Sequence, residues 1–292
     1  MTVSSRDVNE PTVRHSETRQ HGQVPIRWYR PAVDGPAATR VPTIVWTHGG
    51  GFFSGGLDQP EAHDVASALA QRGLHVVTVE YSLAPIPGLP WVGRRGVRAR
   101  GRFPRPMEDL LAVFRSVNSQ AAGGVILGGA SAGACLASAT ALKALEMDAA
   151  PRGIILAYGF FHSSHPRSRE IQLGVRGHRR LTHSKWLLDA MNRNYAGSRA
   201  ALSHRFAFPG GHELDGFPPT LMINADHDAM RASGDQFATE LVSAGVDVEK
   251  HTLPGSRHAF LNRPHLDAFT IAIDLMAEWS LTSPYLENRQ RL

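Results

Sequence analysis

The chain has little cysteine and no long apolar run. Cys135 is the only cysteine among 292 residues, which excludes an intrachain disulfide. The longest apolar runs, such as residues 153–158, are far shorter than the roughly 20 residues that a membrane-spanning helix needs. The first seven residues show no basic stretch followed by an apolar one, so no signal peptide is predicted. These absences predict a cytoplasmic protein without stable membrane association.

Lysine is also scarce, although the net charge is +5. Only three lysines are present, and arginine supplies the remaining positive charge. The arginines are spread along the chain except for one cluster, formed by Arg94, Arg95, Arg98, Arg100 and Arg102. No aromatic residues interleave with this cluster, as they do in grooves that bind single-stranded nucleic acid. The sequence therefore predicts no nucleic-acid partner. With 42% apolar and 20% charged residues, the chain has the composition of a soluble globular protein.

Short apolar runs alternate with longer helical patterns along most of the chain. This alternation predicts an α/β fold, in which βα units surround a mostly parallel sheet. The predicted strands cover residues 26–30, 43–47, 74–79, 123–128, 154–158, 220–224 and 246–253. The predicted helices cover residues 60–72, 106–118, 132–146, 184–195, 232–244 and 265–281.

Three segments interrupt this rhythm. Residues 1–22 are polar without periodicity, and residues 161–215 separate two strands by far more than an ordinary connection needs. Long interruptions at strand ends are usually lids or binding loops. We therefore expect 1–22 and 161–215 to form a cap, and the arginine-rich residues 86–102 to be an insertion near the site. The catalytic core would then comprise residues 23–160 and 216–285.

A serine stands in the pattern Gly129-Ala130-Ser131-Ala132-Gly133, between a predicted strand and a predicted helix. The pattern alone is weak, because small residues are common, and a tight packing turn is the alternative. The strand-turn-helix context favours a nucleophile, since such a turn lifts the hydroxyl above the sheet edge. The turn also aims the N-terminus of the helix at the reaction centre, where N–H groups favour developing negative charge.

A glycine run, His48-Gly49-Gly50-Gly51-Phe52, directly follows another predicted strand. Successive glycines let the backbone approach a ligand and point N–H groups into a cavity. An acyl-transfer enzyme needs such donors for its oxyanion, and the N–H groups of Gly50, Gly51 and Ala132 are the candidates. A phosphate loop is the rival, but no Lys-Ser/Thr pair follows the glycines. His48 fits an orienting role better than that of a base.

A serine nucleophile needs a base that is itself oriented by a third group. His258 follows the last predicted strand, which brings it to the same sheet edge as Ser131. Asp226 and Asp228 both lie just past the strand at 220–224, and spacing alone does not choose between them. The chain order of serine, aspartate and histidine is that of the α/β-hydrolases.

Other reactive side chains have simpler interpretations. Cys135 lies one helical turn after Ser131 and is expected to be a small buried filler. Four histidines of the 161–215 segment lack the spacing of a metal site and are expected at the surface: His162, His165, His178 and His183. Glu80 and Asp109 are interpreted as loop anchors. No metal and no cofactor are predicted.

Taken together, these motifs resemble the bacterial hormone-sensitive-lipase-like carboxylesterases of the α/β-hydrolase superfamily. The matching pieces span residues 24–281 and are residues 48–52, 81–85, Phe103-Pro104 with Asp109, 129–133, Asp228 with Arg231, and His258. The resemblance implies a mostly parallel eight-stranded sheet flanked by helices, with a small helical cap. It implies a triad of Ser131, Asp228 and His258, and so favours Asp228 over Asp226 as the carboxylate. It also implies an oxyanion hole formed by Gly50, Gly51 and Ala132. It further implies short acyl esters as substrates and frequent homodimers.

The chain departs from the family pattern at three places. Ala130 and Cys135 replace the aspartate and asparagine that often flank the nucleophile, and the N-terminal arm is short for two cap helices. In the family, the motif matched by residues 81–85 is followed almost directly by the motif matched by Phe103-Pro104. Here residues 86–102 lie between them. One hypothesis is that the arginines of this insertion favour an anionic substrate, and the alternative is a solvated loop.

The function predicted from the sequence is hydrolysis of short- to medium-chain carboxylic esters through an acyl-enzyme at Ser131. An amide hydrolase such as an arylformamidase would use the same machinery. A non-catalytic ligand receptor on the same fold is the third alternative, and the presence of His258 argues against it.

Overall fold

The computed structural model of the chain describes residues 14–21, 24–31, 41–88, 100–174 and 184–282. The strands are β1 (Arg14–His21), β2 (Val24–Arg30), β3 (Thr43–Thr47), β4 (His75–Val79), β5 (Val125–Ala130), β6 (Gly153–Ala157), β7 (Thr220–His227) and β8 (Val248–Arg257). The helices are α1 (His63–Gln71), α2 (Arg105–Asn118), α3 (Ala132–Leu145), α4 (Arg169–Gly174), α5 (Lys185–Ala196), α6 (Arg199–Leu202), α7 (Arg231–Ser243) and α8 (Asp267–Thr282), with a 3₁₀ turn at Phe260–Asn262.

The described strands form one eight-stranded sheet in the order β1-β2-β4-β3-β5-β6-β7-β8. β4, β3, β5, β6, β7 and β8 run parallel, whereas β1 and β2 pair antiparallel at one edge. The central strands are buried along their whole length, as expected when helices cover both faces of a parallel sheet. The expected α/β sheet with flanking helices is confirmed.

The two faces of the sheet carry separate cores, because successive side chains of a strand point to opposite sides. On β3, Val45 packs into the core beneath α2 and α3, whereas its neighbours Ile44 and Trp46 pack into the core beneath α1 and α8. α3 is buried almost throughout. Its small side chains let it pack close against the sheet, which holds the turn before it in place.

The N-terminal arm corrects one expectation. The assignment of residues 1–22 to the cap is wrong for residues 14–21, because they form β1 and pair with β2 as the edge strand of the sheet. The sequence Arg-His-Ser-Glu-Thr-Arg-Gln-His has no apolar alternation, so it gives no strand signal. Backbone pairing, rather than burial of an apolar face, places this strand.

The segment between β6 and β7 carries α4, α5 and α6, and α5 matches the helix predicted at 184–195. α5 presents Leu188, Asn192 and Tyr195 to the interior. The Tyr195 ring stacks on Phe52 of the glycine-rich loop, with ring centroids 3.9 Å apart. α5 therefore covers the loop that follows β3.

No helix within the described ranges combines the length and the apolar character needed to cross a bilayer.

Candidate active site

Ser131 occupies the sharp turn between β5 and α3. Its backbone has φ 54° and ψ −118°, a conformation that non-glycine residues adopt only under strain. The Ser131 N–H donates to the carbonyl of Ala157, which is the last residue of the neighbouring strand β6. This bond holds the turn against the end of β6.

The glycines on either side of Ser131 are required by space. A Cβ at Gly129 would lie 2.4 Å from Oγ1 of Thr47 and 2.5 Å from the Gly133 carbonyl. A Cβ at Gly133 would lie 2.3 Å from the carbonyl oxygen of Thr47. The turn packs so tightly on the end of β3 that no side chain fits at either position.

Replacing Gly133 with alanine is expected to destabilise the fold by about 1–3 kcal/mol, because backbone must move to admit the methyl group. The matched control is Gly56→Ala, where a Cβ would meet nothing within 4 Å. That control is expected to change stability by less than about 0.5 kcal/mol. Urea unfolding measures both, and equal stabilities of the two variants would contradict the packing described here.

Ser131, His258 and Asp228 form one hydrogen-bonded chain. Oγ of Ser131 lies 3.0 Å from Nε2 of His258, and Nδ1 of His258 lies 2.6 Å from Oδ2 of Asp228. An ionised carboxylate only accepts hydrogen bonds, so Nδ1 carries the proton and Nε2 accepts from the serine hydroxyl. The other carboxylate oxygen of Asp228 accepts from the N–H of Met230, which fixes the orientation of the carboxylate. All three side chains are buried.

The competing carboxylate, Asp226, has a different environment. Its Oδ1 lies 3.1 Å from Nη1 of Arg231, and its Oδ2 accepts from the N–H of Gly255. Asp226 therefore ties the end of β7 to β8 and to the start of α7. The geometry separates the two candidates that the sequence left open, because Asp228 is the one that contacts His258.

The glycine-rich loop after β3 is held by hydrogen bonds on its carbonyl side. The hydroxyl of Tyr81 donates to the carbonyls of His48 and Gly49, at 3.0 and 3.3 Å. Nδ1 of His48 lies 2.7 Å from the Gly49 carbonyl, and the His48 ring stacks on Tyr81. His48 thus contacts the loop backbone, in agreement with the orienting role expected for it.

The next two glycines need conformations that favour glycine. Gly50 has φ 109° and Gly51 has φ 61°. The Gly50 carbonyl accepts hydrogen bonds from the N–H groups of Phe53 and Ser54. Among the described residues, no protein oxygen accepts a hydrogen bond from the N–H of Gly50 or Gly51. Both N–H groups are therefore available to a ligand.

Comparison with known proteins identifies the family. The model of the α/β-hydrolase fold family matches residues 44–262 of the chain. The chain belongs to the α/β-hydrolase fold family. An ethyl acetate hydrolase from Pseudomonas putida is 31% identical in an alignment of 260 residues that covers 84% of this chain and 73% of the relative.

Solved structures agree with this assignment. A Pyrobaculum calidifontis esterase matches with a TM-score of 0.77 and 26% identity, covering 92% of this chain and 85% of the other. A hormone-sensitive lipase from a metagenome library matches with a TM-score of 0.72 and 25% identity, covering 92% and 84% of the two chains. The resemblance to hormone-sensitive-lipase-like carboxylesterases is confirmed.

Two histidines of the hydrolase correct the sequence interpretation, because His162 and His165 are buried rather than at the surface. Nδ1 and Nε2 of His162 lie 2.7 Å from Oγ of Ser233 and 3.0 Å from Oε1 of Glu240, which ties the chain after β6 to α7. Nδ1 of His165 lies 3.2 Å from Oδ1 of Asp189 on α5. His178 and His183 lie outside the described residues.

Cys135 and Asp109 have the environments expected of them. Cys135 is fully buried, its thiol contacts the carbonyl of Ala207, and burial raises the pKa of the thiol. This environment suits a filler and disfavours a thiolate nucleophile. Oδ2 of Asp109 accepts from the N–H of Ser82, which anchors the loop after β4 as predicted.

Two arginines of the insertion at 86–102 contact backbone carbonyls. Nη1 of Arg100 lies 2.7 Å from the carbonyls of Phe53 and Ala84, and Nε of Arg102 donates to the carbonyl of Asn194 on α5. Arg100 is thereby held against Phe53 and Ala84, and Arg102 against α5. Arg94, Arg95 and Arg98 lie outside the described residues.

Sequence reasoning missed two side chains beside the triad, Glu61 and Tyr158. Both are buried, and the Tyr158 hydroxyl donates to Oε1 of Glu61 at 2.5 Å. Glu61 stands in a polar loop before α1 without a motif, so only the folded structure reveals its position. Across the described residues, no three His, Cys, Asp or Glu side chains gather as a metal site requires.

Proposed function

We propose that the chain is a serine carboxylesterase that hydrolyses short- to medium-chain carboxylic esters through an acyl-enzyme at Ser131. The observation that carries the proposal is the hydrogen-bonded chain from Ser131 through His258 to Asp228, at 3.0 and 2.6 Å. The likeness to an ethyl acetate hydrolase and to esterase structures supports an ester as the substrate.

The first half-reaction follows from these contacts. The Ser131 oxygen attacks the ester carbonyl carbon while Nε2 of His258 takes the hydroxyl proton. Asp228 holds the imidazole with Nδ1 protonated and stabilises the imidazolium that forms. When the tetrahedral intermediate collapses, the bond from carbon to the alcohol oxygen breaks, and His258 returns the proton to the departing alcohol.

The second half-reaction repeats these steps with water. His258 takes a proton from the water as its oxygen attacks the acyl carbon. The bond to the Ser131 oxygen then breaks, and His258 returns the proton to that oxygen. The products are the carboxylic acid and the regenerated serine, so no cofactor or metal is needed for the balance of the reaction.

The N–H groups of Gly50, Gly51 and Ala132 are proposed as the oxyanion hole. Two of them come from the glycine-rich loop, where they have no protein acceptor among the described residues. The third comes from the first residue of α3, whose N–H precedes the intrahelical hydrogen bonds. Donors fixed in place before the reaction stabilise the charge that develops on the carbonyl oxygen.

The proposed domain organisation makes residues 161–215 the cap over the core at 23–160 and 216–285. A Cβ at Gly51 would lie 2.6 Å from the sulfur of Met191, so α5 lies directly over the glycine-rich loop. Phe52, Tyr195 and Phe208 pack into one another beside it. This packing joins α5 to the core beside the glycine-rich loop.

A panel of p-nitrophenyl esters from acetate to laurate tests the substrate class. We expect the highest kcat/KM for acetate to hexanoate and a fall for longer chains. Matched phenyl acetate, acetanilide and formanilide separate an esterase from an amide hydrolase, and we expect the ester to react fastest. A chain that hydrolyses none of these substrates, or formanilide faster than the ester, would contradict the proposal.

The proposal also includes a cytoplasmic enzyme that acts without nucleic acid and without stable membrane association. The family resemblance further suggests a homodimer. Light scattering after size-exclusion chromatography tests the homodimer directly.

A further inference from the structure

A buried carboxylate that the proposed mechanism does not use lies between the glycine-rich loop and His258. Glu61 is 1% exposed, and both its backbone N–H and its backbone carbonyl make hydrogen bonds. Its N–H donates to Oδ1 of Asn262, four residues after His258, and its carbonyl accepts from Nε1 of Trp46 on β3. The side chain is therefore fixed relative to both parts of the site.

One oxygen of Glu61 contacts the glycine-rich loop. Oε2 accepts from the Gly49 N–H at 2.5 Å, on the side of the loop opposite to the Tyr81 hydroxyl. Gly49 is enclosed, because a Cβ there would lie 2.6 Å from Oε2 of Glu61 and 2.9 Å from Cβ of Ser131. Glu61 and Tyr81 thus hold the two peptide groups on either side of Gly49. The N–H groups of Gly50 and Gly51 follow directly along the chain.

The other oxygen of Glu61 connects to the general base. Oε1 accepts from the Tyr158 hydroxyl at 2.5 Å, and the Tyr158 ring packs edge-on against His258 with centroids 5.1 Å apart. Burial and the neighbouring carboxylate raise the pKa of Tyr158, so its hydroxyl stays a donor to Glu61. A negative charge on Glu61 is also favourable for a positive charge on His258.

We propose that Glu61 is a positioning residue that couples the oxyanion loop to the catalytic base. It fixes the Gly49 peptide, so that the N–H groups of Gly50 and Gly51 are aimed before the substrate arrives. Its charge stabilises the His258 imidazolium that forms as the serine attacks. This inference rests on the proposed function, because it assigns a task within the same reaction.

The charges around these groups determine the expected pH dependence. His258 contacts the carboxylate of Asp228, the hydroxyl of Ser131 and the ring of Tyr158, and Tyr158 in turn donates to Glu61. Burial raises the pKa of Glu61, whereas the hydrogen bonds from Tyr158 and Gly49 favour its ionised form. Both carboxylate oxygens accept hydrogen bonds, and these bonds favour the ionised form against the effect of burial.

The test substitutes Glu61→Gln, which keeps the shape of the side chain and removes its charge. We expect kcat for p-nitrophenyl acetate to fall by about 10- to 100-fold, as for a small misplacement of catalytic groups, with little change in KM. We also expect the acid limb of the kcat/KM profile to move to lower pH, because the protonated form of His258 is no longer stabilised by the negative charge of Glu61. A purely structural role would lower the melting temperature without moving the acid limb.

The matched control is Asp58→Asn, the same chemical change on the same loop. Asp58 pairs with Arg27 at the surface and its side chain is 90% exposed. We expect wild-type kcat, KM and pH profile for this control. Tyr158→Phe provides a second test, because it keeps the ring against His258 and removes only the donor to Glu61. We expect a smaller loss of kcat in Tyr158→Phe than in Glu61→Gln.

The outcomes separate this inference from the proposed function. If the parent enzyme hydrolyses esters while folded Glu61→Gln keeps the parental kcat and acid limb, the inference is overturned and the proposed function stands. If Glu61→Gln does not fold, Tyr158→Phe decides, and parental kcat in that variant overturns the inference. If the parent hydrolyses no ester, both fail together.

Discussion

Ser131→Ala is expected to lower kcat/KM for p-nitrophenyl acetate by about 10⁴- to 10⁶-fold, the range seen when a serine hydrolase loses its nucleophile. The side chain supplies the atom that forms the acyl-enzyme, and this oxygen lies 3.0 Å from Nε2 of His258. The fold should persist, because alanine fits wherever serine does. Initial rates at saturating and limiting substrate measure the effect.

The control for this variant is Ser138→Ala, on the helix that follows the turn. Ser138 is buried, and its hydroxyl donates to the carbonyl of Ala134 within α3. Loss of this hydroxyl should leave kcat/KM within about threefold of the parent, because its hydrogen bond is made within α3 and not to the triad. Activity of Ser131→Ala within tenfold of the parent would contradict the proposed nucleophile.

Asp228→Asn is expected to lower kcat by about 10⁴-fold with little change in structure. An asparagine amide can donate to Nδ1 of His258, which favours the tautomer with the proton on Nε2. That tautomer cannot accept the Ser131 proton. The measurement is kcat for p-nitrophenyl acetate, with circular dichroism to check that the fold is retained.

Asp226→Asn is the matched control for Asp228→Asn. It removes the ion pair between Asp226 and Arg231, and the side chains of both residues are partly exposed. Such pairs contribute about 0–1 kcal/mol to stability, so we expect a slightly lower melting temperature and near-parental kcat. A larger loss of kcat in Asp226→Asn than in Asp228→Asn would reverse the assignment of the two carboxylates.

The sequence predicted the Ser131 turn well because its constraints are local. A buried strand, small residues and a helix follow one another within a short stretch, and each has a recognisable pattern. β8 was harder to delimit, because Pro254 and Gly255 are typical of a turn, yet the strand continues through them to Arg257. β7 likewise extends to His227. As a result, Asp228 and His258 lie directly at their strand ends.

Features that depend on distant partners could not be predicted from the sequence. β1 is polar and is defined only by its pairing with β2. The burial of His162 depends on Ser233 and Glu240, which lie more than 70 residues further along the chain. Glu61 acquires its place through Gly49 and Tyr158, on two different strand ends. In each case a polar sequence gives no pattern, and tertiary contacts decide the position.

Ser131, activated by His258, is proposed as the nucleophile, and a fluorophosphonate should therefore react with it covalently. Mass spectrometry of the chain after this reaction, with the modified peptide sequenced, tests this directly. We expect one adduct per chain, located on Ser131, absent from Ser131→Ala and formed much more slowly in His258→Ala. An adduct on another residue, or ester hydrolysis by a chain that the reagent leaves unmodified, would contradict it.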